Sequence, residues 1–177
     1  MVEELEAHVI SRMQSGDHVA YRQVLDHHLA QLMAYATRLT GSVPDAEDIV
    51  QETFVRLWTN RQRYDPSKAR LSTWLHRIAH NQFVDSYRRT RDRKADGDED
   101  SSVVHGPDAF LESATQGQAV SQALMQLDER QRSALVLVHY QGMPHKDVAD
   151  ILDVSVDALE SMLRRSRKKL KDILVKP

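Results

Sequence analysis

Residues 144–174 read PHKDVADILDVSVDALESMLRRSRKKLKDIL, and the punctuation of this stretch decides the fold of the rear of the chain. Pro144 suits a first helical turn, where its missing N–H has no intrahelical partner. Apolar residues then recur to Leu152, the short turn Asp153-Val154-Ser155 interrupts them, and Ser155 caps a second helix running from Val156 to Leu174. Val148, Ile151, Leu152, Val154, Leu159, Leu163 and Leu170 fall where two crossing helices bury them. Asp157, Ala158, Glu160, Ser161, Arg164, Arg165 and Lys168 are left facing outward. This is the outline of a helix-turn-helix, in which the start of the second helix meets base edges and nearby cations hold phosphates. The plainer reading is a solvated charged helix end, because Lys and Arg also suit helix C-termini through the macrodipole.

Bulk properties narrow the choices. The chain has 177 residues, 41% of them hydrophobic, enough for one domain or two small ones. With a net charge of −2, any DNA binding must be local, carried by patches such as Arg88-Arg89-Thr90-Arg91-Asp92-Arg93-Lys94 and the end of the last helix. Cysteine is absent, which excludes disulfides, thiolate metal sites and thiol catalysis. No apolar run approaches the ~18 residues of a membrane span. Met1-Val2-Glu3-Glu4-Leu5-Glu6 is acidic where a secretory signal is basic and then apolar. The expectation is a cytoplasmic protein that does not insert into membranes.

Six Gly and five Pro punctuate long segments of helical period, and no segment alternates long enough for a sheet, so the fold class is all-α. Val19, Leu25, Leu29, Leu32, Ala36 and Leu39 place a stripe on a helix that Gly41 ends. Pro44 and Asp45 open the next, with Ala46, Ile49, Val50, Phe54, Leu57 and Trp58 inward. After a loop at Asn60–Arg70, Ser72 or Thr73 caps a third helix carrying Trp74, Leu75, Ile78, Ala79, Phe83 and Tyr87. Asp96 to Thr115 holds six acids and no Lys or Arg, and reads as a flexible acidic linker. Beyond it, Val120, Leu124 and Leu127 mark a helix. Asp128 caps the next, whose core is Leu135, Val136, Val138 and Tyr140. Two small helical domains follow, 1–95 and 116–177, joined by 96–115.

The front domain poses different chemistry. Asp45, Asp48 and Glu52 form an acidic stripe with Gln51 beside it, a poor surface for DNA. Acids at a helix N-terminus satisfy the dipole, and a basic protein partner explains Glu52 as well. Both readings stand on spacing alone. Trp74 adjoins a loop in which Arg61, Arg63, Lys68 and Arg70 surround Tyr64. Aromatic and cationic groups together suit unstacked single-stranded bases, although most helical tryptophans are core. Arg77, Asn81, Arg88 and Arg89 share a polar side, and Asn pairs well with a base edge when it is not merely solvated. His76 and His80 lie one turn apart, as in a zincin, but Arg77 stands where the catalytic Glu is needed and no third ligand is evident. With no phosphate loop or nucleophile elbow, neither a metal, a cofactor nor an enzyme is expected.

Together, Asp45-Ala46-Glu47-Asp48-Ile49-Val50-Gln51-Glu52-Thr53-Phe54-Val55-Arg56-Leu57-Trp58, Leu71-Ser72-Thr73-Trp74-Leu75-His76-Arg77-Ile78-Ala79-His80-Asn81, Asp85, Arg88-Arg89 and the helix-turn-helix resemble a bacterial extracytoplasmic-function (ECF) sigma factor. The resemblance spans about 17–94 and 116–174. It implies that Asp45, Asp48, Gln51, Glu52 and Trp58 dock on core RNA polymerase, whose contacts are the clamp helices of the largest subunit and the flap. It implies that Asn60–Arg70 captures a flipped base of the minus-ten element, with Trp74, Arg77 and Asn81 at the edge of the opening duplex and Arg88 and Arg89 beside its backbone. The rear domain then reads the minus-thirty-five element, and an anti-sigma factor holds the free protein inactive. One departure concerns the recognition helix. Where family members often carry a Gly-Thr-Val-Lys-Ser-Arg-like run, this chain has Asp157-Ala158-Leu159-Glu160-Ser161-Met162, so Glu160 and Met162 replace two cations. The rival reading is an autonomous helix-turn-helix regulator.

Overall fold

The computed structural model describes residues 2–95 and 116–175, and the regular elements of the described part are all helical. The expected linker, 96–115, lies outside the described residues.

The front bundle comprises α1 (Val2–Gln14), α2 (His18–Thr40), α3 (Val43–Thr59) and α4 (Leu71–Ala95), with a 3-10 turn at Arg61–Arg63. Each boundary has a local cause. Asp17 caps α2 by accepting from the Val19 and Ala20 amides at 2.8 and 3.2 Å, and its carboxylate also accepts from Arg12 Nε at 2.8 Å. The Arg12 hydrogen bond leads the interactions that hold the Asp17 carboxyl below its usual range. Gly41 ends α2 in the left-handed region, φ 70°, its N–H donating to Thr37 O at 2.8 Å. Ser42 caps α3, with Pro44 in the first turn. At α4 the expected cap is displaced. The helix begins at Leu71, the Trp74 amide donates to Arg70 O, and Ser72 and Thr73 lie inside the first turn.

α2 also differs in register from the expected stripe. Ala20, Val24, His28, Leu32, Tyr35, Ala36 and Leu39 are buried, whereas Val19 and Leu29 are exposed. The reason is that α2 packs against α1, α3 and α4 on different sides, so its buried band does not follow the apolar residues alone. α1 has no counterpart in the sequence-based expectations. It contributes Ile10 and Met13 to the core, too few apolar positions to announce a helix.

The rear bundle comprises α5 (Gln116–Met125), α6 (Glu129–Leu135), α7 (His145–Leu152) and α8 (Val156–Val175). Asp128 caps α6 through the Gln131 amide at 2.8 Å, as expected. Beyond Leu135 the chain widens into a π turn, Val136–Tyr140, with Gln141 N donating to Val136 O at 3.0 Å. Val136 and Leu137 are buried there, whereas Tyr140 turns outward beneath the Arg38 guanidinium, 4.6 Å from its ring centre.

The two bundles share one continuous core, with α4 against α7 and α2 against α5, α6 and the π turn. Arg132 of α6 is the hub of this seam. It is 5% exposed, and its guanidinium donates to Leu124 O, Met125 O and Leu127 O at 3.1–3.2 Å and to Leu39 O at the end of α2. A Cβ on Gly41 would come within 3.0 Å of Met125 Sδ, so the glycine also permits the bundles to approach. Thr73 Oγ1 donates to Asp147 Oδ2 at 3.1 Å, tying α4 to α7.

Buried histidines line the same seam. His76 Nδ1 donates to Ser72 O at 2.7 Å, and its Nε2 has no hydrogen-bond partner. Burial depresses the proton affinity of His28, His76 and His80, with His28 and His80 lowered to about 4. Neighbouring His27 and His76 add to the shift of His28, and Arg130 to that of His80.

Two outcomes are expected. Arg132→Ala removes hydrogen bonds to four carbonyls and lowers the unfolding free energy by about 3 kcal/mol in urea titrations, and Arg132→Lys does not restore it because an ammonium cannot fork to all of them. The histidines bind protons more weakly folded than unfolded. Their contribution to stability is therefore complete above about pH 6.5 and is lost as the pH falls toward about 4. Urea midpoints measured across that window should decline on acidification, and His80→Gln should flatten the decline.

Candidate nucleic-acid and protein-docking surfaces

α3 is two-faced. Ala46, Ile49, Val50, Thr53, Phe54 and Leu57 are buried, while Asp45, Glu47, Asp48 and Gln51 are exposed and Glu52 is half-exposed. Thr53 fits the inner face because its hydroxyl donates to Ile49 O at 2.7 Å. Glu52 accepts from Arg56 Nε at 2.8 Å, a surface pair that steers the carboxylate more than it stabilises the fold. Val55, 52% exposed, places an apolar side chain among these acids and amides. The sequence reading missed it, although its spacing from Asp48, Gln51 and Glu52 is the available signal. Trp58 is half-buried and stacked among His18, Tyr21 and the Arg61 guanidinium, with centres 4.4, 5.0 and 4.3 Å away. It packs the end of α3 onto α2 and is not part of the open acidic face.

The loop between α3 and α4 is more internally bound than its composition suggests. Tyr64 is 4% exposed, donates its hydroxyl to Ala69 O at 2.9 Å and packs against Trp74 with ring centres 5.4 Å apart. Burial pushes its phenol up to about 12. Gln14 of α1 donates to both Arg61 O and Tyr64 O, at 3.1 and 2.7 Å. Tyr64 is therefore the internal pillar of the loop, which corrects the expectation that its ring is available to nucleic acid. Arg61, stacked on Trp58 and donating to Trp58 O at 2.9 Å, is likewise engaged. Arg63, Lys68 and Arg70 are exposed, and Lys68 lies 3.6 Å from Asp65.

Trp74 is half-buried on α4, and Arg77, Asn81, Arg88 and Arg89 are exposed along the helix, with Arg89 donating to Asp85 O at 3.2 Å. These residues do not face open solvent alone. Arg63, Lys68, Trp74 and Arg77 form one wall of a cleft of about 420 Å³, and Lys146, Asp147, Asp150 and Asp153 line its other side. Asn81 and Arg88 line a second cleft of about 360 Å³ opposite Glu129, Arg130 and Asp153. Carboxylates of the rear bundle thus stand across from cations of the front bundle.

In the helix-turn-helix, Asp153 ends α7 in the left-handed region at φ 54° and Ser155 Oγ accepts from the Ala158 amide at 3.2 Å. Pro144 is the N-cap of α7 rather than its first residue. Asp157, Ala158, Glu160, Arg164, Arg165 and Lys168 are exposed and Ser161 half-exposed, while Leu159 and Leu163 are buried. Met162 packs against the core, so of the two departures in the recognition helix only Glu160 faces outward. His145, absent from the sequence-based site, lies with its Nδ1 3.4 Å from Glu160 Oε1. Among the described residues no group of three or more His, Asp or Glu side chains is arranged to hold a metal ion. No described helix is long and apolar enough to cross a membrane.

A model of sigma-70 region 2 matches residues 24–93, and one of sigma-70 region 4 matches 117–170. The ECF RNA polymerase sigma factor SigE of Mycolicibacterium smegmatis is 32% identical over 170 residues, covering 92% of this chain and 65% of that protein, so the chain spans just under two thirds of its length. RNA polymerase sigma factor NccH of Alcaligenes xylosoxydans xylosoxydans is 32% identical over 172 residues, covering 92% of this chain and 91% of that one. Among solved structures, sigma factor RpoE in complex with the anti-sigma factor NepR from Bartonella quintana aligns with a TM-score of 0.72 at 26% identity, over 89% of this chain and 98% of that one. With both region models matched in order, and the ECF RNA polymerase sigma factor SigM of Mycobacterium tuberculosis 32% identical over 97% of this chain and 86% of that one, the chain belongs to the ECF sigma factors of the sigma-70 family.

Proposed function

We propose that α3 docks this sigma factor on core RNA polymerase through Asp48, Gln51 and Glu52, with Asp45 at the rim, and that the cationic residues of the front and rear bundles then engage the minus-ten and minus-thirty-five elements. One observation carries this reading: among the described residues α3 exposes an acidic, partly apolar face, whereas the cations assigned to DNA lie on other elements. A carboxylate surface repels DNA, and a clamp-helix coiled coil offers complementary charge. Work in the cytoplasm, where core polymerase and promoters are, follows from that role.

In the proposed mechanism, polymerase docking separates the bundles and frees both clefts. Arg63, Lys68 and Arg70 hold the backbone at the opening point, Trp74 supplies the stacking face, and Arg77 and Asn81 meet the edge of the duplex. Arg88 and Arg89 follow the phosphates. Tyr64 shapes the loop from within, and Arg61 and Trp58 brace its base. Unstacking costs a few kcal/mol, and stacking a captured base returns about 1–3 kcal/mol, so one trapped base shifts the melting equilibrium appreciably. Arg164, Arg165 and Lys168 hold phosphates upstream while Ser155, Asp157, Ala158, Glu160 and Ser161 face the major groove. An anti-sigma factor that covers the α3 face or clamps the two bundles together keeps the free protein silent. The RpoE–NepR complex supports that reading, since the present fold aligns with the inhibitor-bound sigma factor across both bundles.

Binding of purified core enzyme tests the docking face. Asp48→Lys with Glu52→Lys should weaken affinity for core by at least about tenfold, because two attractive pairs become repulsive; undiminished affinity would remove α3 from the interface. If the wild-type protein bound a duplex site tightly alone and left transcription by core unchanged, an autonomous regulator would replace this reading. Permanganate footprinting of the open complex addresses Asn81, and Asn81→Ala should lower the opened fraction or relax base choice at the minus-ten element.

A further inference from the structure

Glu160 is the feature of the recognition helix that the general mechanism does not explain. It stands in the second turn of α8, on the side shared with Asp157, Ala158, Arg164 and Arg165, its side chain 60% exposed. A flexible carboxylate at that place is repelled by phosphates and loses rotamer freedom on meeting a base. Here it is not left free. The left-handed turn at Asp153 brings the start of α7 beside the start of α8, and His145, the first residue of α7, places Nδ1 3.4 Å from Glu160 Oε1.

We propose that His145 is a positioning residue for Glu160, and that the pair makes one position of the upstream promoter element selective for cytosine. The proposal rests on the assignment of α8 to the major groove. An imidazole beside Oε1 restricts the rotamers of the carboxylate, which can only accept. In the major groove guanine presents two acceptors and thymine an acceptor and a methyl group, so both are disfavoured. Cytosine presents an amino donor. Adenine presents one too, but beside an N7 acceptor that repels the carboxylate. His145 also lies at the N-terminus of the helix that crosses the DNA backbone in this motif, so the contact couples backbone docking to base choice.

The test uses holoenzyme reconstituted from core polymerase and full-length protein, with initiation measured on promoters carrying each of the four bases at every position of the upstream element. The wild type should favour cytosine at one position by about tenfold over guanine and thymine. Glu160→Ala should flatten that preference. His145→Ala should reduce it about threefold at that position alone, and His145→Asn, whose amide nitrogen takes the place of Nδ1, should restore it. An unchanged base profile for His145→Ala, or a loss spread evenly over all promoters, would overturn the positioning role. Wild-type initiation indifferent to every upstream position would instead overturn the major-groove assignment, and this inference with it.

Discussion

The arrangement of the molecule depends on how one buried guanidinium is satisfied. Arg132 enters the seam from α6, and the carbonyls at the ends of α2 and α5 have no intrahelical partners of their own. A planar fork with five N–H donors meets several such oxygens at once. Without it the seam would hold carbonyls such as Leu39 O out of water with no donor. With it, two bundles that are each small for independent stability merge their apolar interiors, as the continuous core from Ile10 to Leu163 shows.

This merger has a functional counterpart. Arg63, Lys68 and Arg77 share one cleft with Asp147, Asp150 and Asp153, and Arg88 shares another with Glu129 and Asp153. Part of the surface proposed for nucleic acid thus faces the rear bundle. The acidic face of α3 points elsewhere and is open in this arrangement. On the proposed assignment of α3, such an order of accessibility favours contact with polymerase before contact with DNA, and the modest net charge of −2 gives little attraction to bulk nucleic acid that would compete with it.

Much of this was readable from the residues. The helix-turn-helix, its Ser155 cap and the buried positions of α3 follow from periodicity and capping chemistry, because one face of each helix meets the core and the other meets water. Periodicity failed where a helix is buried on several sides. In α2 the polar His28 is buried and the apolar Val19 is exposed, since neighbours on different sides decide its environment. Composition misled at Tyr64, where an aromatic residue among cations suggested a nucleic-acid platform but the tertiary hydrogen bond to Ala69 O places the ring inside. The joining of the bundles had no local signal, because Arg132 and the carbonyl of Leu39 are far apart in sequence. His145 went unnoticed for a related reason: its partner, Glu160, lies on the next helix.

The π turn at Val136–Tyr140 has a consequence for the evolution of this protein. Such a turn accommodates one residue more than an α-helical path requires, and a residue added to or removed from an α-helix rotates everything beyond it by about 100°. The widened turn lies just ahead of α7 and absorbs that swivel. Deleting a single residue there would tighten the turn to an α-helical path and leave α7 and α8 facing as before, so this segment can change length without disturbing the exposed face of α8.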